Sequence, residues 1–146
     1  TRISAILGGG SKEEIEALSE YGRLLGMLIL LRDDLIDMID FEESVHRIRR
    51  ECLPLPILYS LQNSKIKPEI TSVLSRGRVT KRGAEKILAI VEKAGGFNRV
   101  DEHMQKLARD ACSLLERVKR NGTYLKLLAR GMLLPEWRNF TSATIS

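Results

Sequence analysis

Cysteine is scarce. Cys52 and Cys112 are too few to staple a chain of 146 residues, so an apolar core has to hold it, and the thiols fit the reduced state of a cytoplasmic protein. The two histidines, His46 and His103, stand far apart, and no zinc-ligand spacing exists. Aromatic residues make up 5%, with no stacking set among the basic residues, which argues against nucleic acid as a partner. No apolar run approaches the roughly 20 residues that a membrane-spanning helix needs, so no transmembrane segment is expected. No signal peptide is expected, and the sequence has no apolar–polar alternation of the kind strands require and no repeat of fixed period.

What is present is ordinary globular composition, 43% hydrophobic and 29% charged, rich in Leu, Ile and Ala. That composition suits a helical bundle, and with helical periodicity along the chain and no strand alternation an all-α fold is expected, a bundle of about six helices forming a single domain over residues 1–146. The formal charge of +5 and pI near 9.4 favour anionic ligands. The first residue is Thr1 rather than Met, so a fragment of a longer chain is expected.

The organising stretch is the segment 21–40, Y-G-R-L-L-G-M-L-I-L-L-R-D-D-L-I-D-M-I-D. It reads as the second half of one long helix opened by Ser11 with Glu14 three residues on, a capping-box spacing. Gly26 is the only residue between Leu24 and Leu31 that is not apolar, which predicts a helix buried on all sides. Leu24, Leu25, Leu28, Leu31 and Leu35 are the candidate core. At about 100° per residue, Asp33, Asp37 and Asp40 share a face and Asp34 lies at its edge. Carboxylates at a helix C-terminus oppose the helix dipole and repel one another at i,i+4, each effect costing a few tenths of a kcal/mol to about 1 kcal/mol. A hard divalent cation would reverse that cost, because Mg²⁺ takes one or two carboxylates and fills its other positions with water and phosphate oxygens. The alternative is a solvated acidic helix end balanced by Arg32, Arg47, Arg49 and Arg50.

Residues 16–37, E-A-L-S-E-Y-G-R-L-L-G-M-L-I-L-L-R-D-D-L-I-D, resemble the second aspartate-rich helix of the trans-isoprenyl diphosphate synthases, where Y-G-x-x-L-G runs into D-D-x-x-D. Ala5-Ile6-Leu7-Gly8-Gly9-Gly10 resembles the small-residue helix end upstream in that family, and residues 50–61, R-E-C-L-P-L-P-I-L-Y-S-L, its K-x-T-L-P-x-x-x-A-L segment. The resemblance covers Thr1 to about Leu61. It implies the C-terminal half of an isoprenoid-synthase fold, a transferase of isoprenoid biosynthesis that joins an allylic diphosphate to isopentenyl diphosphate with Mg²⁺. It implies Asp33, Asp34 and Asp37 as metal ligands and Arg50 and Thr1 as contacts to substrate diphosphate. The family's first aspartate motif has no counterpart here, so the chain alone should be inactive, and a missing N-terminal half or a partner subunit, in a homodimer or heterodimer, would complete it. Two departures favour an alternative, a non-catalytic prenyl-synthase-like binding or regulatory protein. Leu30 stands where the family has a glutamine, and the connection 41–51 is shorter and lacks a glycine-lysine pair.

Beyond Leu61 only helical pattern guides the reading. Helices are expected from Leu53 to about Gln62, from Pro68 to Ser75, and from Lys81 to Ala94 with Thr80 as N-cap. Val100, Met104, Leu107, Ala111, Leu114 and Val118 predict one seam of a helix ending at Asn121-Gly122, with His103 a packing residue beside it. A last helix, Thr123 to Leu134, should turn Leu125, Leu128 and Met132 inward, and the tail 140–146 has no pattern.

Overall fold

The computed structural model describes residues 1–50, 53–75 and 79–133, and only the backbone of Phe41 and Arg50. Among them all regular structure is helical: α1 (Arg2–Leu7), α2 (Lys12–Ile39), α3 (Phe41–Arg50), α4 (Leu55–Leu61), α5 (Lys67–Leu74), α6 (Lys81–Lys93), α7 (Gly96–Leu114) and α8 (Thr123–Gly131), with a 3₁₀ turn at Leu115–Arg117. None of these helices is long and apolar enough to cross a membrane.

The start signals act as their chemistry dictates. The chain leaves α1 through Gly9, whose φ of 69° lies in the left-handed region that favours glycine. The Ser11 N–H donates to Glu14 Oε2 at 2.9 Å and the Glu14 N–H to Ser11 Oγ at 3.2 Å, the reciprocal pair that starts α2. The Thr80 hydroxyl accepts from the Gly83 N–H at 3.2 Å and starts α6.

The chain divides into two compact units. Of the described residues, one comprises 1–32 with 102–133 and the other 33–101, and α2 and α7 contribute residues to both. In the first unit α2 buries Ala17, Tyr21, Leu24 and Leu28, at 4-3-4 spacing. From α7 come Met104, Leu107, Ala108 and Ala111, and α8 adds Ala129. Tyr21 is wholly buried, so its hydroxyl needs a partner, and it donates to the Leu125 carbonyl at 2.8 Å. Arg32 donates to the carbonyl of Gly131, the last residue of α8, at 3.1 Å. Glu14 accepts a further backbone N–H, from Lys119 at 3.1 Å. The N–H groups of Ser11 and then Lys119 hold its carboxyl below the usual carboxylate range.

The second unit is built round α6, which packs on α3, α4 and α5 and buries Ala84, Ile87 and Val91. Leu35 and Met38 of α2, Ile48 of α3, Ile57 of α4, Ile70 and Val73 of α5 and Val100 of α7 are its other buried apolar residues of note. Gly96 opens α7 where a Cβ would come within 2.5 Å of both the Pro56 carbonyl oxygen and Ser60 Oγ. Arg99 then stacks over the Tyr59 ring at 4.7 Å and donates to the Tyr59 carbonyl at 3.3 Å.

Several expectations change. Burial along α2 follows one stripe rather than the whole circumference: Leu24, Leu28 and Leu35 are buried, Leu25 and Leu31 are half-buried, and Leu30 is 69% exposed. Two residues after Leu28 the helix has turned about 200°, which takes Leu30 off the packed face. Residues 41–50 form a helix rather than a loop, and together with α1 it brings the number of α-helices among the described residues to eight. Helix α7 stops at Leu114 and tightens into the 3₁₀ turn, whose three residues per turn seat Leu115 inside and leave Leu114 and Val118 half-buried. In α8 and its C-cap, Leu125 and Met132 are half-buried as the stripe predicted, but the position between them that turns inward is Ala129, which is buried, while Leu127 and Leu128 are exposed.

Candidate functional site

The residues at the end of α2 are placed by two helix junctions. Met38 and Leu35 are buried, which fixes the rotation of the last turns of α2 and leaves Asp33 and Asp40 exposed. Asp40 then serves the next helix. Its carboxylate accepts the Glu43 N–H at 3.1 Å and its carbonyl accepts the Ser44 N–H at 2.8 Å, the contacts of an N-cap for α3. An N-terminal carboxylate also has the favourable sign for the helix dipole, so Asp40 stabilises α3 more than it burdens α2.

Helix α3 carries Arg47 back to the aspartates. Its Nη1 lies 2.7 Å from Asp34 Oδ1 and 2.8 Å from Asp37 Oδ2, so a single nitrogen bridges two carboxylates three residues apart. The second oxygen of Asp34 accepts the backbone N–H of Leu55, the first residue of α4, at 3.2 Å. The Arg47 side chain is only 17% exposed. Burial pulls its pKa down, but the hydrogen bonds and charges of Asp34 and Asp37 outweigh that and raise it above the ordinary arginine value. The group is a permanent cation, and it offsets the repulsion that the clustered aspartates would otherwise suffer.

Of the sequence-predicted metal ligands, Asp34 and Asp37 therefore meet on one cationic atom, while Asp33, in the same turns of α2, is exposed. Among the described residues no three His, Cys, Asp or Glu side chains form a group that could hold a metal ion as they stand. The donor chemistry nevertheless suits Mg²⁺: hard carboxylate oxygens, two of them already within reach of one positive charge. Thr1 belongs to the first unit, where it lines a cavity of about 300 Å³ with Ser4, Gly8, Glu14 and Arg120. It also lies against Gly22 of the Y-G pair, where a Cβ would clash with its hydroxyl oxygen. The Arg50 side chain lies outside the described residues. What the sequence did not reveal is which arginine of the 47–50 group reaches the aspartates. Ser44 and Ile48 are the buried residues among the described side chains of α3, and the helical period from that face selects Arg47.

No family model matches the chain. It is 27% identical over 117 residues to the short chain isoprenyl diphosphate synthase of Methanothermobacter thermautotrophicus, covering 80% of this chain and 30% of that protein. It is 50% identical over 48 residues to the geranylgeranyl diphosphate synthase of Methanosarcina mazei, covering 33% of this chain and 15% of that protein. A crystal structure of geranylgeranyl pyrophosphate synthase from Corynebacterium glutamicum, complexed with calcium and isoprenyl diphosphate, shares the fold. The TM-score is 0.80 at 22% identity, over 90% of this chain and 43% of that one. The chain thus spans less than half the length of each of these proteins. The Y-G-x-x-L-G and D-D-x-x-D segments, the all-helical architecture and these likenesses agree: the chain is similar to one part of the trans-isoprenyl diphosphate synthases and shares the fold of that part.

Proposed function

We propose that this chain is the C-terminal part of a Mg²⁺-dependent trans-prenyltransferase that condenses an allylic diphosphate with isopentenyl diphosphate. The observation that carries the reading is the convergence of Asp34 and Asp37 on one cation at the end of α2, with Asp33 exposed beside them. Asp33, Asp34 and Asp37 would hold the metal, which neutralises the diphosphate and stabilises its charge as it leaves. Thr1 and Arg50 are the proposed contacts to diphosphate oxygens, Arg50 as a two-pronged donor. The other aspartate motif comes from outside residues 1–146, from the rest of a longer polypeptide or from a partner subunit.

The test is transfer of labelled isopentenyl diphosphate onto an allylic diphosphate, measured for the full-length protein and for residues 1–146 alone. Product is expected only from the former, and there Asp33→Ala should lower the rate far more than Asp40→Ala, because Asp40 is occupied in capping α3. Turnover by residues 1–146 alone, or an equal loss in both variants, would refute the reading. Arg47 is the observation that favours a second one, a non-catalytic prenyl-synthase-like binding or regulatory protein. Under that reading the full-length protein does not turn over, yet a catalytic partner gains activity when it is added.

A further inference from the structure

Resting on the reading of the aspartate helix as a metal–diphosphate site, we infer that Arg47 is a built-in competitor of the divalent cation, which can engage Asp34 and Asp37 together only after displacing the guanidinium. Arg47 Nη1 lies between the two carboxylates, at 2.7 and 2.8 Å from one oxygen of each. A Mg²⁺ ion bound to the same two oxygens needs ligands at about 2.0–2.1 Å, and so takes the space that this nitrogen fills. The two positive charges exclude each other at that spot.

The surroundings determine which group gives way. Asp34 is anchored through its other oxygen by the Leu55 N–H at the start of α4. Helix α3 is fixed at its beginning by the Asp40 cap, so the backbone under Arg47 is held and its long side chain is what moves. A guanidinium released from two carboxylates is also a good partner for diphosphate oxygens, which it can grip with two parallel N–H bonds. Metal alone therefore binds weakly, and metal with diphosphate binds better because the displaced arginine finds a new anion.

The experiment is calorimetric titration of residues 1–146 with Mg²⁺ alone. Arg47→Gln, with folding checked by circular dichroism, is expected to bind at least tenfold more tightly than the parent chain, and adding Asp37→Asn should abolish the gain. Arg47→Lys, which keeps the charge, should stay near the parent. Equal or weaker binding by Arg47→Gln, or a gain that survives Asp37→Asn, overturns the inference. If Arg47→Gln does not fold, NMR of the unmodified chain decides. The Arg47 Nε–H resonance must shift as Mg²⁺ saturates the Asp34 and Asp37 carboxyl signals, and an unmoved resonance overturns the inference. Prenyl transfer by the full-length protein without the tighter Mg²⁺ binding removes this inference and leaves the proposed function standing. Failure of both chains to bind Mg²⁺ at these aspartates removes the inference and the metal role together.

Discussion

Gly96→Ala is the substitution whose outcome the packing of the second unit fixes most tightly. In a solvent-facing helix the change would stabilise by about 0.5–1 kcal/mol, since alanine loses less backbone freedom on folding. Here the added methyl would meet the Pro56 carbonyl oxygen and Ser60 Oγ, both at 2.5 Å, and Val91 Cγ1 at 2.9 Å. One of those neighbours is backbone, and Ser60 is buried and donates to the Pro56 carbonyl at 2.9 Å, so neither can step aside without losing a buried contact. Overpacking of this sort costs about 1–3 kcal/mol, and a clash with main chain belongs at the upper end, leaving a net loss of about 1–2 kcal/mol after the helical gain. Urea denaturation followed by far-ultraviolet circular dichroism should show a lower midpoint with an unchanged slope. Adding Ser60→Ala removes one of the two closest obstacles, so the double variant should lose less than the sum of the two single losses. If Gly96→Ala is as stable as the parent, α4 does not approach the start of α7 as described, and the account of this unit fails.

Leu28→Ala should cost about 2–5 kcal/mol, because the residue is wholly buried, whereas Leu30→Ala should change stability by about 0.5 kcal/mol or less; thermal unfolding of both variants tests whether burial on α2 is one-sided. Glu14 supplies a pH test. Its folded pKa lies below the ordinary 4.5, so its contribution is fully present above that value and is lost as the pH falls through the lower folded pKa. Glu14→Gln should flatten the acid limb of the stability curve below pH 4.5, and an unchanged limb would show that the Ser11 and Lys119 bonds do not persist in solution.

Helix starts were legible in the sequence because capping is local. Ser11 with Glu14, Thr80 with Gly83 and the turn at Gly9 each involve residues within a few positions, and the structure places them as that chemistry requires. The all-α class and α2 followed from apolar periodicity for the same reason. Helix α3 was not legible, since only Ser44 and Ile48 of its described residues are buried and its capping carboxylate, Asp40, stood in an aspartate-rich run that suggested a ligand. At the candidate site the aspartates could be found from spacing alone. Their partner could not, because Arg47 reaches Asp34 and Asp37 through the rotation of a separate helix, which packing fixes. Helix α7 ends at Leu114 rather than at Asn121-Gly122, and its last inward position falls on Leu115 rather than Leu114, because a 3₁₀ turn changes the period where the heptad-like pattern assumes it constant.

The division of the chain into two units has a consequence for its synthesis. The described core of the second unit is continuous in sequence from Asp33 to Asp101, whereas the first joins residues 1–32 to residues 102–133. During translation the later segment of the first unit emerges only after Asp101, so Tyr21 and Glu14 wait for Leu125 and Lys119, more than a hundred residues downstream. Contacts across such a separation carry a larger loop-closure cost and form slowly. Until they form, the stripe of Ala17, Tyr21, Leu24 and Leu28 is without the later half of its own unit.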